Sequence, residues 1–110
     1  MLWIVNSHFD ARLPGGLAED RCNAFDAAYK LFAREGLRFA RHLRGDIWEV
    51  RVEAESKAFR VLFSPEAKFQ RVLLALEAFT KKSQKTPART IELAERRLSD
   101  WRSRGRGAKR

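Results

Sequence analysis

The stretch Ile47-Trp-Glu-Val-Arg-Val-Glu-Ala-Glu-Ser-Lys-Ala-Phe-Arg-Val-Leu-Phe63 decides how this chain folds. Trp48, Val50 and Val52 alternate with Ile47, Glu49, Arg51 and Glu53. Phe59, Val61 and Phe63 alternate with Arg60 and Leu62. Successive side chains of a strand point to opposite faces, so both runs read as half-buried strands. The polar Ala54-Glu-Ser-Lys57 between them suits the loop of an antiparallel hairpin. Residues directly opposite in such a pair share a face. The two apolar triplets must therefore lie opposite one another. The tightest register sets Val52 against Phe59, Val50 against Val61 and Trp48 against Phe63. On the reverse face it sets Arg51 against Arg60, two like charges that repel unless an anion lies between them. A slip of two residues would instead oppose Arg60 to Glu53 or Glu49, an ordinary ion pair on a strand face. Alternation alone leaves both registers open.

On the N-terminal side, Leu2–Val5 reads as a short strand and Asn6–Gly16, with Pro14, Gly15 and Gly16, as a loop. Leu17–Glu35 reads as an amphipathic helix. Cys22, Phe25, Tyr29 and Phe32 form its stripe and Gly36 its stop. Arg38 to Asp46 is a basic connection containing His42 and Gly45. On the C-terminal side, residues 66–80 suit either a helix, through Phe69, Val72, Leu76 and Phe79, or a buried strand at Val72–Leu76. Periodicity cannot separate the two. Lys81-Lys-Ser-Gln-Lys85 is a basic loop. Thr86-Pro87 reads as a helix entry, with Thr86 as N-cap, and a helix stripe runs through Ile91, Ala94 and Leu98 to about Trp101. We expect one domain over residues 1–101 and a disordered basic tail over 102–110. The sequence contains no internal repeat.

The chain has 110 residues and a net charge of +9. At 45% hydrophobic it is too apolar to be disordered, and its apolar runs fall short of a membrane span. No signal peptide is legible at the N-terminus, so a cytoplasmic protein away from membranes is expected. The single Cys22 excludes an internal disulfide, and with only two histidines a metal site is not expected. The charge is uneven. Residues 1–80 carry 12 basic and 11 acidic groups, whereas residues 81–110 carry 11 basic and 3 acidic. A field so concentrated attracts polyanions, of which nucleic acid is the commonest; a solvated tail is the plainer alternative.

Three segments together resemble a known family: His42-Leu-Arg-Gly-Asp-Ile-Trp-Glu-Val-Arg51, Phe59-Arg-Val-Leu-Phe63, and Phe79-Thr-Lys-Lys-Ser-Gln-Lys-Thr-Pro87. In this order and spacing they look like the phage-derived, HigB-like branch of the RelE/ParE toxin superfamily. The last string is the most specific, with Ser83 where the branch carries Thr. The likeness covers residues 40–101 well, and the first 40 only in pattern. It implies an α+β fold: a small twisted antiparallel sheet, an N-terminal helix packed on one face, a C-terminal helix, and Val72–Phe79 as a central strand.

The resemblance also implies a function, the toxin of a type II toxin–antitoxin system. Many such toxins are ribosome-dependent mRNA endonucleases; others inhibit DNA gyrase without cleavage. A basic nucleic-acid-binding domain is a further alternative. The implied partners are messenger RNA on the ribosome and a small antitoxin, of helix-turn-helix type and acidic where it binds. The scheme needs no cofactor: the substrate's 2′-hydroxyl attacks the adjacent phosphate, aided by a base, cations and a proton donor. Arg51 and Arg60 match the branch's basic strand positions and are expected at the scissile phosphate, which guanidinium binds bidentately. Lys82 is the candidate acid or base. Lys81, Lys85 and Arg89 are candidate nucleic-acid contacts. Trp48 and Phe79 are expected in the core. The chain departs from relatives in lacking a Tyr or His after the Lys81–Pro87 loop. Glu49 and Glu77 stand where some members have Lys and His, Tyr29 lies on the helix stripe, and His42 is an incidental loop residue.

Overall fold

The computed structural model describes residues 2–5, 15–54, 56–66, 72–80 and 86–108. In chain order the elements are β1 (Leu2–Val5), α1 (Gly15–Glu35), β2 (Arg41–Arg44), β3 (Ile47–Ala54), β4 (Lys57–Glu66), β5 (Val72–Thr80) and α2 (Ala88–Ala108). The strands form one sheet in the order β1-β5-β4-β3-β2. β2 to β5 are antiparallel, whereas β1 joins β5 in parallel, from Leu2 beside Val72 to Val5 beside Ala75. The expected α+β architecture is present, with this parallel edge strand as an addition.

The β3–β4 hairpin takes the tight register. Trp48 lies opposite Phe63, Val50 opposite Val61, Val52 opposite Phe59, and Arg51 opposite Arg60. The reversal from Ala54 to Lys57 carries Ser56 at φ +65°, in the left-handed region. Each apolar triplet faces α1. There Ala24, Phe25, Ala28 and Phe32 pack against Val50, Val61, Phe63, Leu73, Ala75 and Ala78. The Phe32 and Phe63 rings meet edge-to-face with centroids 4.9 Å apart. Burying each large side chain here contributes about 1.5–3 kcal/mol. Gly36, at φ +62°, closes α1 as its sequence suggests, donating its N–H to the Phe32 carbonyl at 2.8 Å.

The helix stripe is rotated from the expected one. Tyr29 and Cys22 are exposed, and the buried positions are Ala24, Phe25, Ala28 and Phe32. The two alanines let α1 approach the sheet closely, so small residues rather than Cys22 and Tyr29 complete the contact.

The ambiguity over residues 66–80 resolves for Val72–Thr80 as strand β5, Glu66 ends β4, and residues 67–71 lie outside the described residues. Leu73 to Ala78 are all buried, because helices cover both faces of this strand and β1 and β4 cover its edges. A continuous apolar run is what two covered faces require. Leu76 is an extra residue in β5, since Leu62 pairs with Glu77 and Phe63 with Ala75. Leu74 and Leu76 join Ile47 and Leu62 beneath Ala94 and Leu98 of α2. Trp48 and Phe79 are half-buried against the two cores, as expected.

Three other local readings change. Residues 41–44, read as connection, form β2, whose polar sequence hid it. Gly45, at φ +54°, permits the tight reversal into β3. Thr86 is not the helix cap: the Pro87 carbonyl accepts the first helical N–H groups, from Thr90 at 3.0 Å and Ile91 at 3.2 Å. Finally, α2 runs past Trp101 to Ala108, so the part of the expected tail up to that residue is helical. Arg102 ties the turn after Trp101 to the sheet: it donates to Glu66 at 2.8 and 2.9 Å and to Asp46 at 3.0 Å.

Candidate functional site

Between β3, β4 and the start of α2 lies a buried ionic cluster that alternation does not foretell. Arg60 and Glu49 are buried, at 0% and 2% exposure. The Arg60 Nη1 donates to both Glu49 oxygens at 3.4 Å and to the Thr86 hydroxyl at 3.1 Å. Thr86 in turn donates its hydroxyl to Glu49 Oε2. Arg41, on β2, reaches Glu49 Oε1 at 3.5 Å. Arg41 and Glu49 are register neighbours, and Arg60 is diagonal to Glu49 across the β3–β4 ladder. The Arg51–Arg60 opposition is therefore relieved within the sheet. The anion it calls for is the Glu49 carboxylate one diagonal step away, so the tight register and an Arg60–Glu49 ion pair coexist.

The sequence-derived site residues are distributed as follows. Arg51 and Arg60 lie side by side in register. Arg51 is exposed, with no ion-pair partner among the described residues, whereas Arg60 is enclosed by Glu49 and Thr86. Arg89 is exposed on the first turn of α2, three residues beyond Thr86. Lys81, Lys82 and Lys85 lie outside the described residues. The two ends of their segment are held near the cluster, Thr80 opposite Phe59 and Thr86 on Arg60 and Glu49. His42 is elsewhere. Its ring sits 5.1 Å from the Trp48 ring and its Nε2 donates to the Gly45 carbonyl at 2.7 Å. Glu77 faces α2, where Arg97 pairs with it at 3.5 Å and donates to the Leu76 carbonyl at 2.7 Å. Arg97 thereby satisfies the backbone at the β5 bulge.

Sequence reasoning placed Glu49 beside Arg60 only in the slipped register, and missed Thr86 as a neighbour of Arg60. The available signal was the Glu two residues before Arg51 within the motif that carries the resemblance. At the far end of α2 the charges are also matched. Hydrogen bonding to Glu66 outweighs burial and raises the Arg102 pKa above its ordinary value. Arg44, bonded to Glu95 at 2.5 Å, is raised for the same reason. A cation whose folded-state pKa is raised contributes its stability in full below its ordinary value and loses it only as pH rises above that, so these arginine pairs persist across the physiological range. Arg51, by contrast, is exposed with no ion-pair partner among the described residues. No group of His, Cys, Asp and Glu able to hold a metal occurs among the described residues. No described helix is long and apolar enough to cross a membrane.

A meandering sheet clasped between two helices, with paired arginines on neighbouring strands at one end, defines a small α+β protein. Residues 13–99 match the family of phage-derived Gp49-like proteins (DUF891), and the chain belongs to that family, which is related to RelE-like toxins. No curated protein matches the chain. Family membership is consistent with a toxin of a toxin–antitoxin system and with an antitoxin as partner.

Proposed function

We propose that the chain is the toxin of a type II toxin–antitoxin pair, of the HigB-like branch, and a ribosome-dependent mRNA endonuclease. The observation that supports this reading is the direct opposition of Arg51 and Arg60, with Thr86 bonded at the same place. In this reading Arg51 contacts the scissile phosphate, which it is free to do because it is exposed. Arg60 acts as a positioning residue, holding Glu49 and Thr86 at the end of the lysine-bearing segment. The substrate's 2′-oxygen attacks phosphorus and the bond to the 5′-oxygen breaks, leaving a cyclic phosphate and a 5′-hydroxyl. Lys82 transfers the proton from the 2′-hydroxyl to the departing 5′-oxygen. Lys81, Lys85 and Arg89 contact the RNA backbone, and the ribosome supplies the alignment. The antitoxin, acidic where it binds, neutralises the basic end.

Primer extension on a translated reporter mRNA tests the reading. Expression of the chain should create new 5′ ends, and Arg51→Ala should remove them while the protein stays folded. Growth arrest by the wild type with no new ends overturns the nuclease reading. A second reading, inhibition of gyrase without cleavage, draws on the helical, basic end of α2. It predicts that removing residues 105–110, which spares Arg102, abolishes toxicity, whereas the nuclease reading predicts that toxicity survives.

A further inference from the structure

β3 is longer than its neighbour β2. Their pairing ends at Arg41 opposite Glu49, so from Val50 to Ala54 the outer edge of β3 has no strand beside it among the described residues. Two hollows run along that edge, between β3 and α1, and meet at Leu31 and Arg51. One, of about 480 Å³, is walled by Phe39 and Leu31; the other, of about 370 Å³, by Leu31 and Arg34. Phe39 is 57% exposed, an unusual position for a large apolar ring. The cations along the trough are not all spoken for. Lys30 pairs with Asp26 and Arg41 with Glu49, and Arg34 and Arg51 are exposed with no ion-pair partner among the described residues; Glu53 is the one further carboxylate in the described lining, so the trough stays net positive.

We propose that this trough takes an extended peptide segment, acidic and with apolar side chains at alternate positions, which adds to the outer edge of β3 as a further strand. Three features select that ligand. An unpaired strand edge offers backbone donors and acceptors in the spacing of another strand. Leu31 and Phe39 offer an apolar floor, which an RNA backbone would leave uncovered. Arg34 and Arg51 offer two guanidinium groups to carboxylates, which favour bidentate pairing. Side chains of a strand alternate, so apolar residues would face the trough floor and acidic ones its cationic rim. The proposal rests on the toxin reading in one respect only, that the antitoxin would be the protein supplying the segment. It then gives neutralisation a physical form, because the segment would occupy Arg51, the residue assigned to the scissile phosphate.

The test uses the full chain, labelled with ¹⁵N, and two probes at low salt: an octapeptide alternating Glu and Val, and an eight-nucleotide uridine RNA. The peptide is expected to shift the amides of residues 50–54, Leu31 and Phe39, and to leave Gly45 and the α2 residues unmoved. Arg34→Glu should weaken it about tenfold or more, as should Phe39→Ser, and a rise in ionic strength should weaken it too. Arg34 and Phe39 are surface residues, and retained spectral dispersion confirms that each variant is folded. Absence of peptide-induced shifts at millimolar concentration overturns the proposal. So do shifts centred on α2, or RNA shifting the same edge residues at lower concentration than the peptide. None of these readouts uses cleavage or toxicity. A chain that binds the peptide but cuts no mRNA would retain this inference and lose the nuclease, and the converse result would do the opposite.

Discussion

Against α1 the sheet presents Val50, Val61, Phe63 and Ala75, and the helix answers with Ala24, Phe25, Ala28 and Phe32. Against α2 the apolar contact is narrower, and around it stand Arg60 with Glu49, Arg97 with Glu77, Arg102 with Glu66 and Arg44 with Glu95. Both faces are held by area removed from water, but the second is ringed by matched charges that the first lacks. The two behave differently under substitution. An apolar contact loses roughly what the removed atoms contributed. A buried charge stripped of its partner destabilises by far more than the pair contributed when intact.

The most severe break should come from stripping the buried pair. Glu49→Ala leaves the Arg60 guanidinium enclosed without its carboxylate, and should lower unfolding free energy by about 3–5 kcal/mol in denaturant titration. Replacing both together, Glu49→Leu with Arg60→Met, should restore most of that loss. A double variant as unstable as the single one would place the energy in packing rather than charge. Phe63→Ala on the opposite face should cost a similar ~3–5 kcal/mol with no such rescue by a second change. Arg102→Ala leaves the buried Glu66 with the Ser64 hydroxyl but without its cation and should cost about 1–3 kcal/mol, with earlier hydrogen exchange at the end of α2. Thr86→Val should cost about 1 kcal/mol, and Thr86→Ser should recover it. At the small end, Lys30→Ala, which breaks an exposed i,i+4 pair with Asp26, should change stability by no more than ~0.5 kcal/mol.

The same division governs what could be read from the amino acids. Alternation in residues 47–63 specified the hairpin and its α1 face, because an apolar face leaves a period-two trace. The β4–β5 bulge and the polar β2 strand left no such trace. Residues 66–80 were undecidable locally because a strand covered on both faces looks like a short apolar helix. Thr86 read as a cap because its hydroxyl is competent for that role, yet a carboxylate from residue 49, distant in the chain, claims it. The paired arginines were legible through strand register. The burial of one and the exposure of the other depend on a diagonal neighbour and on where β2 stops, and neither can be deduced from two strands alone. The basic end past Trp101 read as a tail because its anchors, Glu66 and Asp46, lie on other elements.

The parallel seam between β1 and β5 joins residue 2 to residue 72. At ~5–20 residues per second of synthesis, Leu2–Val5 would wait roughly 4–14 s on a ribosome before its partner strand is even made. Until then Leu-Trp-Ile-Val is an adhesive segment with nowhere to dock, and the sheet's last edge closes only once most of the polypeptide exists. The parallel seam is thus among the last contacts of the sheet that synthesis allows to form.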